Sequence, residues 1–344
     1  MSQNGKSRRR TWSRFPAERR VPSEYEAVTH DLHYHVGKEV PFEASPSVPW
    51  NQWTIKYRNN SAVQLQNPNG FRDPDALIYR TYVETQDDRE IYVDGLLAEF
   101  SQLHADAGLP GDWVASLREW YTPFRYVGHA LQMAAQYIVQ MAPSSYISNC
   151  AGFQAADELR RVQRIAYRTR ELSLTHPTLG FGESDRPTWE DGPSWQPLRE
   201  VIEKLLVARD WAEAFVRLNL VVKPLVDDAF LGVGSEAARA AGDQLLALMN
   251  DDLYLDCQRS RRWSAALVNH MVSDTAANRS VISDWVAQHS PEAHEAVVTM
   301  LEPLKGHGVA GEEASLTIRE RHENFLQLMG LTPAGEIHAP ALAN

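Results

Sequence analysis

The sequence predicts an all-α fold, built from long helices packed as a bundle. From Asp73 onward, apolar residues recur every three or four positions over stretches of roughly 30 residues, as in helices with one buried face. Gly and Pro residues separate these stretches, and no run of strand length alternates between apolar and polar residues. Helices of ~30 residues are ~45 Å long, which is unusual in globular proteins and typical of long-helix bundles.

Residues 1–70 differ from the rest because they contain many Pro, Ser and Asn residues and show little helical periodicity. Since disordered tails are poor in aromatic residues, we expect an extended arm that lies on a partner; the alternative is a partly disordered tail. Its basic residues are Lys6, Arg8, Arg9, Arg10, Arg14, Arg19 and Arg20, and its aromatic anchors are Trp12, Phe15, Trp50, Trp53 and Tyr57.

Start and stop signals place the first three long helices. Asp73-Pro74-Asp75 carries a Pro in a first turn, which predicts a helix from about residue 74 to about 107. A Gly-containing break separates it from a second helix over 112–142. Ser144 and Ser145 are cap residues and predict a third helix that runs to about residue 174.

The second half of the chain has more interruptions. Pro224 should kink or divide its helix because it lacks a backbone N–H group. Residues 177–196 are predicted to form a loop, and the predicted helices span 197–231, 235–273, 278–289, 291–304 and 313–329. The predicted units are an arm over 1–70, a helical domain over 71–305 and a C-terminal helix with a loose tail over 306–344.

Composition excludes several kinds of protein. The net charge of −11 argues against a nucleic-acid partner. No apolar run approaches the ~20 residues that a membrane helix needs. Two cysteines, Cys150 and Cys257, cannot build a disulfide framework and fit a reducing cytoplasm. His30, His33 and His35 lie close together, but no further ligands nearby indicate a metal site.

Two short segments carry the strongest functional signal. Asp157-Glu158-Leu159-Arg160-Arg161 and Asp256-Cys257-Gln258-Arg259-Ser260 are variants of D-E-x-R-H, which places a Glu and a His on one face of a helix. In a four-helix bundle, two Glu-x-x-His motifs and a Glu from each of the other two helices hold two irons. Here Arg161 and Ser260 replace the two His residues, and Cys257 replaces one Glu.

These segments predict the architecture of a di-iron protein without the irons. Glu158, Cys257 and Ser260 lie on apolar stripes, so these positions should face the bundle interior, and Arg161 borders the same face as Glu158. None of the twelve histidines has a Glu or Asp three residues before it, so the chain contains no Glu-x-x-His. We therefore predict no catalytic, cofactor-binding or metal-binding residue, and the degenerate ligand positions are Glu158, Arg161, Cys257 and Ser260.

A buried Glu158 needs a partner, because an unpaired buried charge is too costly. We expect Arg161, or Arg160 from a different helix face, to pair with Glu158 and to take over the structural role of a metal ion. The alternative is that Glu158 reaches solvent or a neighbouring subunit. Cys257 is expected to be a small core residue rather than a nucleophile.

Beyond these motifs, the sequence over roughly residues 10–270 resembles the hydroxylase β subunits of bacterial multicomponent monooxygenases, especially those that oxidise toluene, other aromatics and alkenes including isoprene. The resembling segments are Arg10–Ser13, Pro22–Tyr25, Leu32–Tyr34, Ile78–Tyr82, Leu131–Met133, Gln140–Pro143, Ile147–Cys150, Ala166–Thr169, Glu171–Thr175, Asp210–Trp211, Glu213–Phe215, Leu218–Pro224 and Arg262–Ser264.

The resemblance implies a ferritin-like fold and a place in a larger enzyme. A related α subunit would carry the di-iron centre and, with a small γ subunit, form an (αβγ)₂ hydroxylase. An FAD-containing reductase, a Rieske-type 2Fe–2S ferredoxin and an effector protein would complete a system that uses NADH and O₂ to insert one oxygen atom into a hydrocarbon. This chain would be cytoplasmic and non-catalytic, and would brace the α subunit.

Two other functions stay open on the sequence alone. The chain could be an independent ferritin-like oxidase with unusual ligands, or an all-α interaction protein unrelated to oxygen chemistry. Iron bound by this chain alone would favour the oxidase. The substrate is not predicted, because the substrate pocket would belong to the other subunit.

Overall fold

Helices form nearly all regular structure in the computed structural model, which describes residues 21–30, 32, 48–309 and 311–331. No β-strand occurs among these residues, so the all-α prediction is confirmed. The α-helices are α1 (Glu24–Thr29), α2 (Pro49–Thr54), α3 (Tyr79–Gln102), α4 (Gly111–Ser116), α5 (Phe124–Met141), α6 (Ser145–Thr175), α7 (Asp185–Asp191), α8 (Gln196–Leu206), α9 (Trp211–Phe215), α10 (Lys223–Asp227), α11 (Gly234–Ala240), α12 (Gln244–Asp274), α13 (Asn278–Met300) and α14 (Gly311–Gln327).

Four long helical segments enclose the centre of the bundle. α5 packs along α6, and α12 contacts both α6 and the helical run that contains α9, α10 and α11. α3 packs against α12 on the outer side. The rings of Phe124 and Phe230 stack in the core with centroids 3.5 Å apart. A bundle of long helices is therefore present, as the apolar periodicity predicted.

α6 begins at Ser145, where the predicted cap residues place its start. The Oγ of Ser144 accepts a hydrogen bond from the backbone N–H of Tyr146 at 3.2 Å. Further along the pair, Gly128 lets α5 approach α6 closely, because a Cβ at this position would lie 3.0 Å from Cγ2 of Val162. The cap and this close contact fix the helix that carries the first motif.

Pro224 lies inside a continuous helical run instead of dividing it. Two π-helical turns, Val216–Val222 and Asp228–Val233, flank α10. Because Pro224 has no N–H to donate, the carbonyl of Leu220 one turn earlier needs another donor. Nε2 of His322, from α14, donates to this oxygen at 2.6 Å. Of the two predicted outcomes, a kink or a division, the division is wrong, because helical turns continue on both sides of Pro224.

α3 also starts later than predicted. The carboxylate of Asp73 accepts hydrogen bonds from the backbone N–H groups of Asp75 at 3.0 Å and Leu77 at 3.2 Å. This local turn competes with a helix, and Ala76 has a positive φ of 46°. The helix therefore begins at Tyr79 and not near residue 74, and it ends at Gln102 rather than near residue 107.

Capping residues divide two other predicted helices. The break within 197–231 falls between α8 and α9, where Oδ1 of Asp210 accepts the N–H of Ala212 at 2.8 Å. The predicted helix over 235–273 is divided at Gly242, whose φ is 82°, and Asp243 then caps α12. In both places an Asp side chain satisfies N–H groups of a new first turn, so a new helix starts.

Elsewhere the chain is more helical or less regular than predicted. Pro291 lies inside α13, which covers the predicted helix 278–289 and continues through most of the predicted helix 291–304, to Met300. α13 packs against α8 and α14. This packing outweighs the ~3 kcal/mol that Pro costs in a helix. The predicted helix over 112–142 contains a π-helical turn at Leu117–Tyr121. The predicted loop over 177–196 contains α7.

Residues 48–70 are attached to the helical body by specific contacts. The indole of Trp53 donates to the hydroxyl of Tyr137 at 3.0 Å, and the N–H of Ala62 donates to Asp210 at 2.9 Å. The basic cluster and the aromatic residues Trp12 and Phe15 lie outside the described residues, as do His33, His35 and the tail beyond 331. The predicted arm contact and the division at residues 70 and 305 stay predictions.

Among the described residues, none of the helices is both long enough and apolar enough to cross a membrane.

The contact between His322 and Leu220 gives a test. His322→Phe should lower the free energy of unfolding by about 1–3 kcal/mol near pH 8, because the buried Leu220 carbonyl loses its donor. Burial lowers the pKa of His322 below its ordinary value. The free energy of unfolding of the wild type should therefore decrease as the pH is lowered from about 6.5. In this range the unfolded chain binds a proton at His322 that the native state does not bind. The difference between variant and wild type should therefore shrink toward about pH 5 in urea unfolding.

His129→Phe is the matched control, since His129 is exposed on α5. It should change stability by less than about 0.5 kcal/mol. Equal losses in the two variants, or a His322→Phe loss that does not depend on pH, would contradict the assigned hydrogen bond.

Candidate functional site

The two motif segments face each other across the bundle centre. α6 presents Glu158 and Arg161 to the interior, and α12 presents Cys257. Glu158 and Cys257 have no exposed surface, and Arg161 is 2% exposed. Glu158 therefore does not reach solvent, so one part of the alternative derived from the sequence is wrong.

A buried charge cluster forms where these helices meet α10. Nη1 of Arg161 lies 3.3 Å from Oε2 of Glu158 and 2.9 Å from Oδ1 of Asp227. Nζ of Lys223 lies 2.6 Å from Oε1 of Glu158 and 2.9 Å from Oδ2 of Asp227. Nη2 of Arg161 donates to Sγ of Cys257 at 3.0 Å. We call these five residues the charge cluster.

The charge states in the cluster follow from burial and from the neighbouring charges. Burial alone would raise the pKa of Asp227, but Lys223 and Arg161 lower it below its ordinary value. Burial also opposes the charge on Lys223, yet Asp227 and Glu158 raise the pKa of this ammonium. Burial and then Asp227 raise the pKa of Cys257, so it is a thiol, and it donates to the Leu253 carbonyl at 3.7 Å. Two carboxylates thus face two cations.

Uncharged layers close the charge cluster on both sides. On one side Gln154 and Asn219 exchange hydrogen bonds of 2.9 and 3.2 Å, and the amide of Asn219 donates to Ser264 at 2.8 Å. On the other side the ring of Phe124 lies 5.9 Å from the guanidinium of Arg161. Low-dielectric surroundings strengthen attraction between opposite charges and make any unpaired charge costly.

The Asp and Arg residues of the two motifs are present and pair across helices. Nη1 of Arg160, in the first motif, donates to Oδ2 of Asp256 in the second at 3.1 Å. Arg259, in the second motif, binds Asp157 in the first. Gln86 of α3 bridges both carboxylates, at 3.1 Å from Asp157 and 2.9 Å from Asp256. These motif residues therefore tie α6, α12 and α3 together.

The same pairing decides between the two arginines proposed for Glu158. Arg160 binds Glu90, Asp252 and Asp256, all outside the charge cluster. Of the two arginines, Arg161 is the one that contacts Glu158.

Burial and the neighbouring Asp256 raise the pKa of Asp157 to about 7, despite the contact of Asp157 with Arg259.

Ser260 is buried, as its position on the apolar stripe predicts. Its hydroxyl donates to the backbone carbonyl of Cys257 at 3.0 Å and does not contact the charged side chains of the cluster. Lys223 and Asp227 were missed. A signal for them was available in the sequence. Lys223 is the one charged residue within the otherwise apolar run Leu220–Val226, and Asp227, of opposite charge, follows one helical turn later.

The charge cluster does not fit a di-iron centre. Iron in such bundles takes carboxylate and imidazole ligands. Here both carboxylates already contact Lys223 and Arg161, and neither a protonated ammonium nor a guanidinium has a lone pair for a metal. Over the described ranges, no group of three or more His, Cys, Asp or Glu side chains is arranged to hold a metal ion.

Arg161→Ala tests the charge cluster. The variant should lower the free energy of unfolding by about 3–5 kcal/mol, because it leaves Glu158 and Asp227 with one cation in a buried site. Chemical denaturation measures the loss. Arg170→Ala is the control on the exposed face of α6 and should cost less than about 0.5 kcal/mol. Unchanged stability in Arg161→Ala would reject the pairing.

Sequence comparisons place the chain among known proteins. A family model described as methane/phenol/alkene hydroxylase matches residues 53–275. The hydroxylase component subunit beta of the toluene-4-monooxygenase system from Ectopseudomonas mendocina is 43% identical, over 88% of this chain and 93% of that protein. The hydroxylase component small subunit of propane 2-monooxygenase from a Gordonia species is 24% identical, over 83% of this chain and 79% of that protein.

Solved structures agree with this placement. A chain of toluene 4-monooxygenase, in a structure with toluene bound in the resting active site, matches with a TM-score of 0.83 and 43% identity, over 88% of this chain and 99% of that one. A chain of phenol hydroxylase from Pseudomonas sp. OX1 matches with a TM-score of 0.80 over 96% of both chains, at 18% identity, and supports the fold alone. The ferritin-like bundle is thus confirmed. The chain belongs to the methane/phenol/alkene hydroxylase family, as a β subunit of the hydroxylase component of a monooxygenase.

Proposed function

We propose that this chain is a non-catalytic subunit that braces an iron-containing α subunit in an NADH-dependent monooxygenase. The proposed reaction inserts one oxygen atom from O₂ into an aromatic or alkene hydrocarbon. The toluene named for the 43% identical relative supports an aromatic substrate. An alkene is named in the description of the family model, whereas propane, named for the 24% identical relative, is an alkane. An aromatic substrate is therefore the better supported of the two.

The position of Lys223 is the observation that carries the proposal. Its Nζ lies 2.6 Å from Oε1 of Glu158, so a fixed positive charge already satisfies the carboxylate that the motif would offer to a metal. Nη1 of Arg161 lies 3.3 Å from the other oxygen, Oε2. A site built in this way joins the helices through ion pairs, and its carboxylates face cations of the chain itself.

The surface of the bundle supports a role in assembly. α3 and α6 lie side by side, joined by an ion pair between Arg164 and Asp94 at 2.6 Å. Large apolar residues are exposed on both helices: Val83, Ile91, Leu159 and Tyr167. Exposed apolar surface of this kind is typical of subunit contacts.

The partners proposed are the α and γ subunits of an (αβγ)₂ hydroxylase. An effector protein, a Rieske-type 2Fe–2S ferredoxin and an FAD-containing reductase would act on this assembly in the cytoplasm.

The two competing functions have less support. An independent oxidase would need ligands that the charge cluster does not offer, since two cations occupy its carboxylates. A helical protein unrelated to oxygen chemistry is inconsistent with membership of the hydroxylase family.

Iron analysis tests the proposal. The full-length chain is expressed alone and also together with its proposed α subunit, a larger chain encoded in a neighbouring reading frame and carrying two Glu-x-x-His motifs. Iron is measured after gel filtration. The chain alone should hold only trace iron, because its carboxylates are bound to cations. The co-purified complex should hold about two irons for each larger chain.

Two results would contradict the proposal. Stoichiometric iron in this chain alone would favour the independent oxidase. Failure of the two chains to co-purify, when each is folded by circular dichroism, would remove the bracing role.

A further inference from the structure

A groove between α12 and α14 presents apolar surface next to the last described residues. Its volume is about 770 Å³, and its apolar lining includes Pro74, Ala265, Phe325 and Leu328. Leu328, which directly follows α14, is 75% exposed. An exposed apolar groove in the size range of binding pockets indicates an occupant. We propose that residues 332–344 of the same chain fold back and occupy this groove.

Arginines give the groove a positive rim. Arg261, Arg262 and Arg321 line it, and the described residues that line it include no Asp or Glu. Arg261 and Arg262 are already held by ion pairs with aspartates at 2.9 Å. Arg321 lies 3.7 Å from Glu236, which is longer than a hydrogen bond. Arg321 therefore retains donors for another carboxylate.

Residues 332–344 have a composition that complements this groove. They contain one acidic residue, Glu336, and no Lys or Arg, and they include the large apolar residues Ile337 and Leu342. Residues 1–20, in contrast, contain seven Lys and Arg residues, which the arginine rim would repel. Charge therefore favours the C-terminal segment over the N-terminal one as the occupant.

The described residues end close to the groove. Leu331 is three residues beyond Leu328, so their Cα atoms are at most about 11 Å apart. Arg279 holds the turn between them, because its Nη1 donates to two carbonyls of the turn at 3.2 and 2.6 Å. Glu336 and Ile337 follow Leu331 within a further span of up to about 20 Å. The segment can thus reach the groove without any change in α14.

An extended segment fits the groove better than a helix. Pro333 and Pro340 disfavour a helix over residues 332–344, because proline has no N–H group to donate. The side chains of Gln258 and Asn324 are exposed along the groove. Their amides can donate to and accept from the backbone of an extended segment.

The proposed contact combines one ion pair with apolar burial. The carboxylate of Glu336 pairs with Arg321, and the side chains of Ile337 and Leu342 cover Leu328. The segment then closes the groove within one chain, so this apolar surface is not available to a second copy or to another protein.

Nile red, a neutral dye that fluoresces in apolar surroundings, measures whether the groove is covered. The full-length wild type and full-length variants are titrated at pH 8. Ile337→Asp combined with Leu342→Asp should bind about one more dye molecule per chain than the wild type, because two aliphatic side chains no longer hold the segment in a groove of ligand size. Leu316→Asp makes the same change at another exposed leucine of α14 and should leave dye binding unchanged.

A charge exchange tests where the segment binds. Arg321→Glu and Glu336→Arg should each raise dye binding to the level of the Asp variant, because like charges then face each other. Combining the two changes restores opposite charges and should return dye binding to the wild-type level. Arg319→Glu changes an exposed arginine of the same helix, and combining it with Glu336→Arg should not restore the wild-type level.

Three results would overturn the inference. The first is equal dye binding in the wild type and in the Ile337→Asp, Leu342→Asp variant, with both folded by circular dichroism. The second is a charge exchange that does not restore the wild-type level. The third is a groove covered only in a dimer, seen when dilution raises dye binding and gel filtration shows dissociation, because a second copy would then be the occupant. None of these results bears on the proposed bracing role, which iron analysis and co-purification test separately.

Discussion

Two carboxylates buried in the centre of a helical bundle, Glu158 and Asp227, must be neutralised, because unpaired charges in this position would prevent folding. In a di-iron bundle the metal supplies the positive charge. In this chain Lys223 and Arg161 supply it, and each cation contacts both carboxylates. The cluster joins α6, α10 and α12 in this way, and its side chains are buried.

The pairing across helices explains which parts of the two motifs remain. Arg160 with Asp256, and Arg259 with Asp157, join α6 to α12 on the side that faces α3. These contacts do not require a metal. A charge-neutral core of this kind suits the scaffolding role proposed for this β subunit.

Much of this could be predicted from local pattern. The helical period placed Glu158, Cys257 and Ser260 in the interior, with Arg161 at the border of that face. The need to neutralise Glu158 indicated a contact with Arg161 or Arg160. The partners on α10 could not be identified in the same way, because Lys223 is 65 residues from Glu158. The continuity of helix through Pro224 was missed for a similar reason, since its donor, His322, is 102 residues from Leu220.

A double-mutant cycle on Glu158 and Lys223 tests the central claim, that buried cations hold these helices together where a metal would. Chemical denaturation of Glu158→Gln, Lys223→Met and the double variant gives the coupling energy. We expect the double variant to be about 2–3 kcal/mol more stable than the sum of the single losses predicts, because each single change strands a buried charge. Losses that add within about 0.5 kcal/mol would contradict the claim.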